Sequence, residues 1–161
     1  KDAATNRYAP TGWMGDTADL TMTDSITEPH SGETSLKFTY TPKAGREGWV
    51  GVYWMNKENN WGNEEGLDLS GATKLTFWAK GEKGGETIDN ISVGGVTGQY
   101  PDTAKVETGP IVLSNEWKKY EIDLTGKDLS SIIGGFCFST SAQSAGDGIT
   151  FYIDDIQFEK I

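Results

Sequence analysis

Lys74-Leu75-Thr76-Phe77-Trp78-Ala79-Lys80 alternates with a period of two, so Leu75, Phe77 and Ala79 share one side of the chain and Thr76, Trp78 and Lys80 the other. That is the pattern of a strand with one face on a core. Ser35-Leu36-Lys37-Phe38-Thr39-Tyr40, Trp117-Lys118-Lys119-Tyr120-Glu121-Ile122-Asp123-Leu124 and Ile149-Thr150-Phe151-Tyr152-Ile153-Asp154 repeat it. Between these runs lie breaks rich in Gly and Pro: Pro42-Lys43-Ala44-Gly45, Gly81-Glu82-Lys83-Gly84-Gly85, Gly94-Gly95, Gly109-Pro110 and Ala145-Gly146-Asp147-Gly148. No segment keeps a helical period for three turns, and Leu129-Ser130-Ser131-Ile132-Ile133 is too short and too β-branched for a helix. Short strands at this spacing predict an all-β fold, a jelly-roll β-sandwich, over one domain spanning 1–161.

The chain has 161 residues and a formal net charge of −10. The length suffices for a core without staples. The charge excludes nucleic acid, which needs a basic surface, and disfavours anionic membranes and anionic polysaccharides. No apolar run reaches the length of a membrane span, so no membrane insertion is expected. Lys1-Asp2-Ala3-Ala4-Thr5 is not a signal peptide, so an exported protein would have to have lost its signal already. The single cysteine, Cys137 in Phe136-Cys137-Phe138, reads as a small buried hydrophobe; it leaves no disulfide within the chain.

Six tryptophans are many for so hydrophilic a chain. An exposed indole is costly unless something covers its flat face. A sugar, with a C–H face and hydroxyls at its rim, suits aromatic rings flanked by amides and carboxylates. Trp54, Trp61 and Trp78 are the aromatic candidates, with Tyr100 a fourth. Gln99 and Asp102 flank Tyr100, and Asn59 and Asn60 precede Trp61, supplying groups able to bond vicinal hydroxyls. Each ring has a competing role in packing. In Trp49-Val50-Gly51-Val52-Tyr53-Trp54 the two valines mark the core side, which places Trp54 at the rim of the core and Trp49 with Tyr53 on the opposite face. Trp13, between Gly12 and Gly15, is expected to cover an edge of the sandwich, Trp117 to pack, and His30 to be a plain surface residue.

The order Gly32-Glu33-Thr34-Ser35-Leu36-Lys37, then Leu75-Thr76-Phe77-Trp78-Ala79-Lys80-Gly81, then Trp117–Leu124, then Phe151-Tyr152-Ile153-Asp154-Asp155-Ile156 resembles a carbohydrate-binding module of the galactose-binding-like jelly-roll type. Such modules are attached to bacterial glycoside hydrolases and surface glycan-binding proteins. The likeness runs through nearly the whole chain as a succession of short motifs. Gly12-Trp13-Met14-Gly15-Asp16 and Asn59-Asn60-Trp61-Gly62 are also similar to exported bacterial proteins of this architecture. The resemblance implies non-catalytic binding of a neutral poly- or oligosaccharide by a monomeric, extracellular, surface or periplasmic module of a larger protein. It also implies a structural calcium ion held by Asp154 and Asp155, with help from Glu33 and Asp16. Carboxylates and turn carbonyls suit that ion. The competing reading of the aspartate pair is a β-bulge whose carboxylate bonds backbone amides. One histidine and one cysteine are too few for zinc or copper.

An enzyme is the first rival reading, a glycoside hydrolase or lyase using loop carboxylates among Glu64, Glu65, Asp68, Asp102 and Glu107. A retaining pair needs ~5–5.5 Å and an inverting pair ~6.5–9.5 Å between carboxyls. Glu64 and Glu65 are neighbours in a loop, pointing differently, and the lone His30 leaves no material for a Ser-His-Asp set. A protein-interaction or spacer domain is the second rival. The Gly81–Glu86 loop joins β-patterned stretches and reads as a hairpin turn, not a phosphate cradle.

Overall fold

The computed structural model describes residues 7–44 and 46–160. The start Lys1–Thr5 and Gly45 of the 42–45 break lie outside the described residues. Among the described residues twelve strands form: β1 (Ala9–Gly15), β2 (Leu20–Ser25), β3 (Ser35–Tyr40), β4 (Trp49–Met55), β5 (Lys74–Gly81), β6 (Thr87–Ile88), β7 (Asn90–Gly94), β8 (Lys105–Glu107), β9 (Ile111–Val112), β10 (Lys118–Asp123), β11 (Gly134–Ser141) and β12 (Ile149–Glu159). The one α-helix among the described residues, α1 (Ala142–Ala145), is a single turn whose cap is the Ser141 hydroxyl accepting from Ser144 N–H. The 129–133 stretch is not helical; its Ile132 instead makes an isolated antiparallel bridge to Leu67.

The strands pair into a front sheet in the order β1-β4-β11-β7-β8 and a back sheet in the order β10-β5-β12-β3-β2, with β6 and β9 as a separate pair. Every pairing is antiparallel. The inner faces meet in one core, and the alternation read in β5 holds: Leu75, Phe77 and Ala79 are fully buried. Aromatic rings fill its centre. Phe38 lies 4.9 Å from Phe138 and 5.4 Å from Phe151, and Phe138 lies 5.2 Å from Phe151. Edge-to-face and offset arrangements of this kind add to the burial term.

Trp54 belongs to this core and not to its rim. It is 5% exposed, and its ring stands edge-on to Phe136 at 4.9 Å, Phe38 at 5.8 Å and Phe138 at 6.0 Å. The strand runs one residue further, to Met55, so Trp54 is paired on both sides, with Pro10 and Phe136. Trp13 is half-buried against the core on the edge strand β1. Cys137 is buried on the outer side of β11, between its strand partners Tyr53 and Ser92. Burial pushes its thiol up to about 12.

A strap over residues 26–34 crosses the outer face of the back sheet. His30 stacks on Trp78 with ring centroids 3.7 Å apart, and its Nδ1 lies 2.6 Å from an oxygen of Asp155. Trp117 donates its indole N–H to the Glu28 carbonyl at 2.8 Å and stands edge-on to His30 and Tyr152. His30 is therefore a packing residue of the strap, and Trp78 spends its free face on it. The aspartate pair follows the bulge reading. The β12 register shifts between Asp154 and Gln157, Asp155 has φ 50°, and Asp154 accepts from the N–H groups of Asp155 at 2.8 Å and Ser31 at 3.2 Å.

Candidate ligand-binding face

With Val50, Val52 and Trp54 turned inward, β4 presents Trp49, Gly51 and Tyr53 on the outer face of the front sheet. Trp49 is 38% exposed. Its indole lies along a floor of glycine: a Cβ on Gly15 would fall 3.1 Å from one ring carbon, and a Cβ on Gly51 3.4 Å from another. Side chains at those positions would lift the ring off the sheet, so the glycines let it lie low with a face to solvent. Four residues along the same strand, about 13 Å away at ~3.3 Å per residue, comes Tyr53. Its ring covers Gly134, where a Cβ would meet it at 2.7 Å, and its hydroxyl donates to the Gly94 carbonyl at 3.3 Å. Burial and the nearby Cys137, Asp102 and Glu107 raise the Tyr53 hydroxyl well above its ordinary value, so it stays a neutral donor.

Two loops build up this end of the face. Trp61, 41% exposed, stands edge-on to Tyr53 with centroids 6.1 Å apart. Tyr100, 38% exposed, is tied to the Trp61 loop by its N–H, which donates to the Gly62 carbonyl at 2.9 Å. Gln99 beside it is exposed. Gly62 has φ 87° and no room for a Cβ, which would sit 2.3 Å from the Thr97 carbonyl oxygen, so the loops meet backbone to backbone.

The other expected polar residues hold these loops in place. Asn60 is buried; its amide oxygen accepts from Asn63 and Glu64 N–H, and its amide nitrogen donates to the carbonyls of Asn56 and Glu64. Asn59 is an exposed turn residue with φ 56°, its N–H on the Thr11 hydroxyl. Asp102 takes N–H groups from Ile133 at 2.5 Å, Gly134 at 3.1 Å and Val96 at 3.1 Å. Burial raises its carboxyl above the ordinary value and outweighs the lowering by those three donors. Both Asn60 and Asp102 are thus committed to backbone, the requirement of loops that pack on each other.

Sequence reasoning missed four contributors to the face: Trp49, Tyr53, Lys105 and Glu107. The first two were legible, since alternation opposite the valines already turned them away from the core. On β8, Val106 packs inward and Lys105 and Glu107 turn outward, joined by an ion pair at 2.6 Å that lowers the Glu107 carboxyl. Trp78, in contrast, lies on the other sheet under His30, remote in topology from Trp49 and Trp61.

The four residues expected to share calcium do not come together. Asp154 and Asp155 bind the strap, Glu33 is exposed in the turn before β3, and Asp16 binds the loop before β4 through the N–H groups of Glu47 and Gly48. Among the described residues no three His, Cys, Asp or Glu side chains converge to hold a metal ion. The loop carboxylates are likewise dispersed: Glu64 pairs with Lys57, Glu107 with Lys105, and Asp68 accepts from Ser70 N–H.

The family model described as carbohydrate binding domain 30 matches residues 3–160. No curated protein is a significant match. Among solved structures, the family 30 carbohydrate-binding module of the cellulosomal cellulase Cel9D-Cel44B of Clostridium thermocellum is similar at 19% identity and a TM-score of 0.66, covering 95% of this chain and 92% of its own. The family 11 module from Clostridium thermocellum, in complex with a β-1,3-1,4-mixed-linked tetrasaccharide, is 14% identical with a TM-score of 0.65, over 99% of this chain and 94% of that one. The xylan-binding domain CBM22-1 of Xyn10C from Paenibacillus barcinonensis is 15% identical with a TM-score of 0.53, over 96% and 91%. At these identities the structures share the fold.

Proposed function

The chain belongs to the carbohydrate-binding domain 30 family of non-catalytic modules, and on that premise we propose that it binds a neutral β-linked glucan chain along the outer face of its front sheet. The observation that carries this reading is the pair of exposed indoles, Trp49 and Trp61, at two ends of one sheet face with Tyr53 between them. Stacking on Trp49 and Trp61 would cover apolar ring area, while Tyr100, Gln99 and the Lys105–Glu107 pair would meet hydroxyls at the margins. A row this long suits an oligosaccharide, where a single pyranose would use only one end. Glycine floors and backbone-stapled loops keep the face preformed, so little ordering is left to oppose binding. The mixed-linked tetrasaccharide in the family 11 structure supports the choice of ligand.

The setting we propose is a monomeric, extracellular bacterial module of a larger glycan-processing protein; the similarity to a family 30 module of a cellulosomal cellulase supports the larger-protein part of this reading. We also propose calcium at Asp154 and Asp155, adjacent carboxylates at the β12 bulge whose oxygens suit that ion.

Affinity gels loaded with β-1,3-1,4-glucan test the reading, with calorimetry on cello-oligosaccharides. Wild type should be retarded, Trp49→Ala and Trp61→Ala should be retarded far less, and Trp78→Ala should behave as wild type. Equal retardation of all four proteins removes the proposed face. No retardation of folded wild type on any neutral glycan removes the ligand class and favours a protein partner.

A further inference from the structure

Trp49 opens β4, and two aspartates hold the segment before it. Among the described residues, the main-chain donors of 41–48 that find a partner are Thr41, Lys43, Glu47 and Gly48, and all four find it on Asp19 or Asp16. Asp16 takes the last two. Its Oδ1 accepts from Glu47 N–H at 3.0 Å and its Oδ2 from Gly48 N–H at 2.8 Å, while its own N–H donates to the Trp49 carbonyl at 2.8 Å. One buried residue therefore holds three consecutive main-chain positions, ending at the tryptophan. From the other side, Ala142 N–H donates to the Gly48 carbonyl at 2.8 Å. The neighbour of Asp16, Gly15, has φ 72°, and a Cβ there would come 2.4 Å from the Trp49 carbonyl oxygen. The approach of β1 to Trp49 is as close as backbone allows.

We infer that Asp16 is a positioning residue for glycan binding, fixing Trp49 low and flat on the front sheet through the 47–49 backbone. This rests on the reading of Trp49 as part of the binding face. The physical argument is that a strand end frays unless its first hydrogen bonds are enforced, and a stacking platform binds well only when its plane is set beforehand. Two charge-assisted bonds from a carboxylate that is itself withdrawn from water do that. An amide at this position accepts one N–H and turns its own donor toward the other, so it breaks the clamp with almost no change in shape.

The test is a double-mutant cycle of Asp16→Asn with Trp49→Ala, read by glucan affinity, with 5-fluorotryptophan NMR of the Trp49 resonance as a second readout. The expected result is an affinity loss of about three- to tenfold for Asp16→Asn, because preorganisation and not contact is lost. In the Trp49→Ala background Asp16→Asn should cost nothing further, and in the Trp49-containing protein the Trp49 resonance should shift or broaden. Asp19→Asn, which loosens the same loop at Lys43, should stay within about twofold of wild type. Equal losses in both backgrounds, or an Asp16→Asn variant with wild-type affinity and an unmoved resonance, overturns the proposal. If Trp49→Ala binds as wild type, the binding-face reading fails separately, and the resonance alone still decides whether Asp16 holds the ring. Asp16→Ser, which keeps one acceptor, replaces Asp16→Asn should the latter not fold.

Discussion

Trp54 and Trp49 lie five residues apart on one strand, and truncating each to alanine should give opposite phenotypes. Trp54 is 5% exposed and touches Phe38, Phe136 and Phe138 edge-on. Removing it leaves a cavity between rings that cannot collapse without moving three others, at a cost of about 3–5 kcal/mol. In a chain of 161 residues each kcal/mol lowers the melting temperature by ~2–4 °C, so the fall should be about 6–20 °C. Trp49 is 38% exposed and rests on glycine. Water fills the space it leaves, no sealed cavity forms, and the cost should be about 1–2 kcal/mol. Thermal melts by circular dichroism measure both, and affinity gels run well below each melting point separate folding from binding. Trp54→Ala should be thermally weak yet retain glucan affinity wherever it is folded; Trp49→Ala should be nearly as stable as wild type and keep only a weak residual affinity. A Trp54→Ala protein that melts within about 2 °C of wild type and fails to bind would falsify the assignment of the two faces of β4.

Three further outcomes follow from buried polar groups. Tyr40 is fully buried, its hydroxyl has no hydrogen-bond partner among the described residues, and burial with Asp16, Asp19 and Asp89 nearby keeps it protonated. Tyr40→Phe should therefore be neutral or stabilising by about 1 kcal/mol in urea denaturation, and a clear loss would reveal a partner for that oxygen. Asp102→Asn should cost about 1–3 kcal/mol at neutral pH, since an amide cannot accept all three backbone donors. Because the native Asp102 carboxyl lies above its ordinary 3.8, the folded protein takes up that proton first, and wild-type stability relative to Asp102→Asn should grow as pH falls from the raised value towards 3.8. A gap that shrinks over that interval contradicts the balance between burial and hydrogen bonding. For calcium, EDTA should lower the melting temperature of wild type but not of Asp154→Asn; identical curves with and without EDTA remove the ion.

The sequence was most legible where the pleat is regular. In β3, β5, β10 and β12 the period-2 runs coincide with strands, and in β5 the inward residues are the ones alternation names. Alternation also separated Trp49 and Tyr53 from the valines. It could not say how far β4 extends or what lies over its end, and that is why Trp54 was placed at the rim when Phe38 and Phe136 enclose it. Side chains on loops were the least legible. Gln99-Tyr100-Pro101-Asp102 reads as a single polar cluster, yet Tyr100 is exposed while Asp102 turns under the loop to three amides contributed by residues 96, 133 and 134. Those donors are distant in sequence, as is His30 from Trp78, and no local pattern encodes contacts made only when two sheets and their loops close. Asp16 shows the same limit: it was expected beside a calcium ion, and its carboxylate instead meets backbone N–H groups 31 and 32 residues away, which no local pattern names.

Cys137 is the chain's one thiol, and it sits in the middle strand of the front sheet with a proton held up to about 12. In the closed molecule it is nearly inert to alkylating reagents at neutral pH, since the thiolate is what reacts. Its modification rate under native conditions is thus a clock for the opening of that sheet, free of any introduced label. The same inertness leaves a second cysteine chemically unopposed. Ile26→Cys, at a position 82% exposed just after the last residue of β2 on the opposite sheet, would accept a dye or surface linker while the aromatic face stays free.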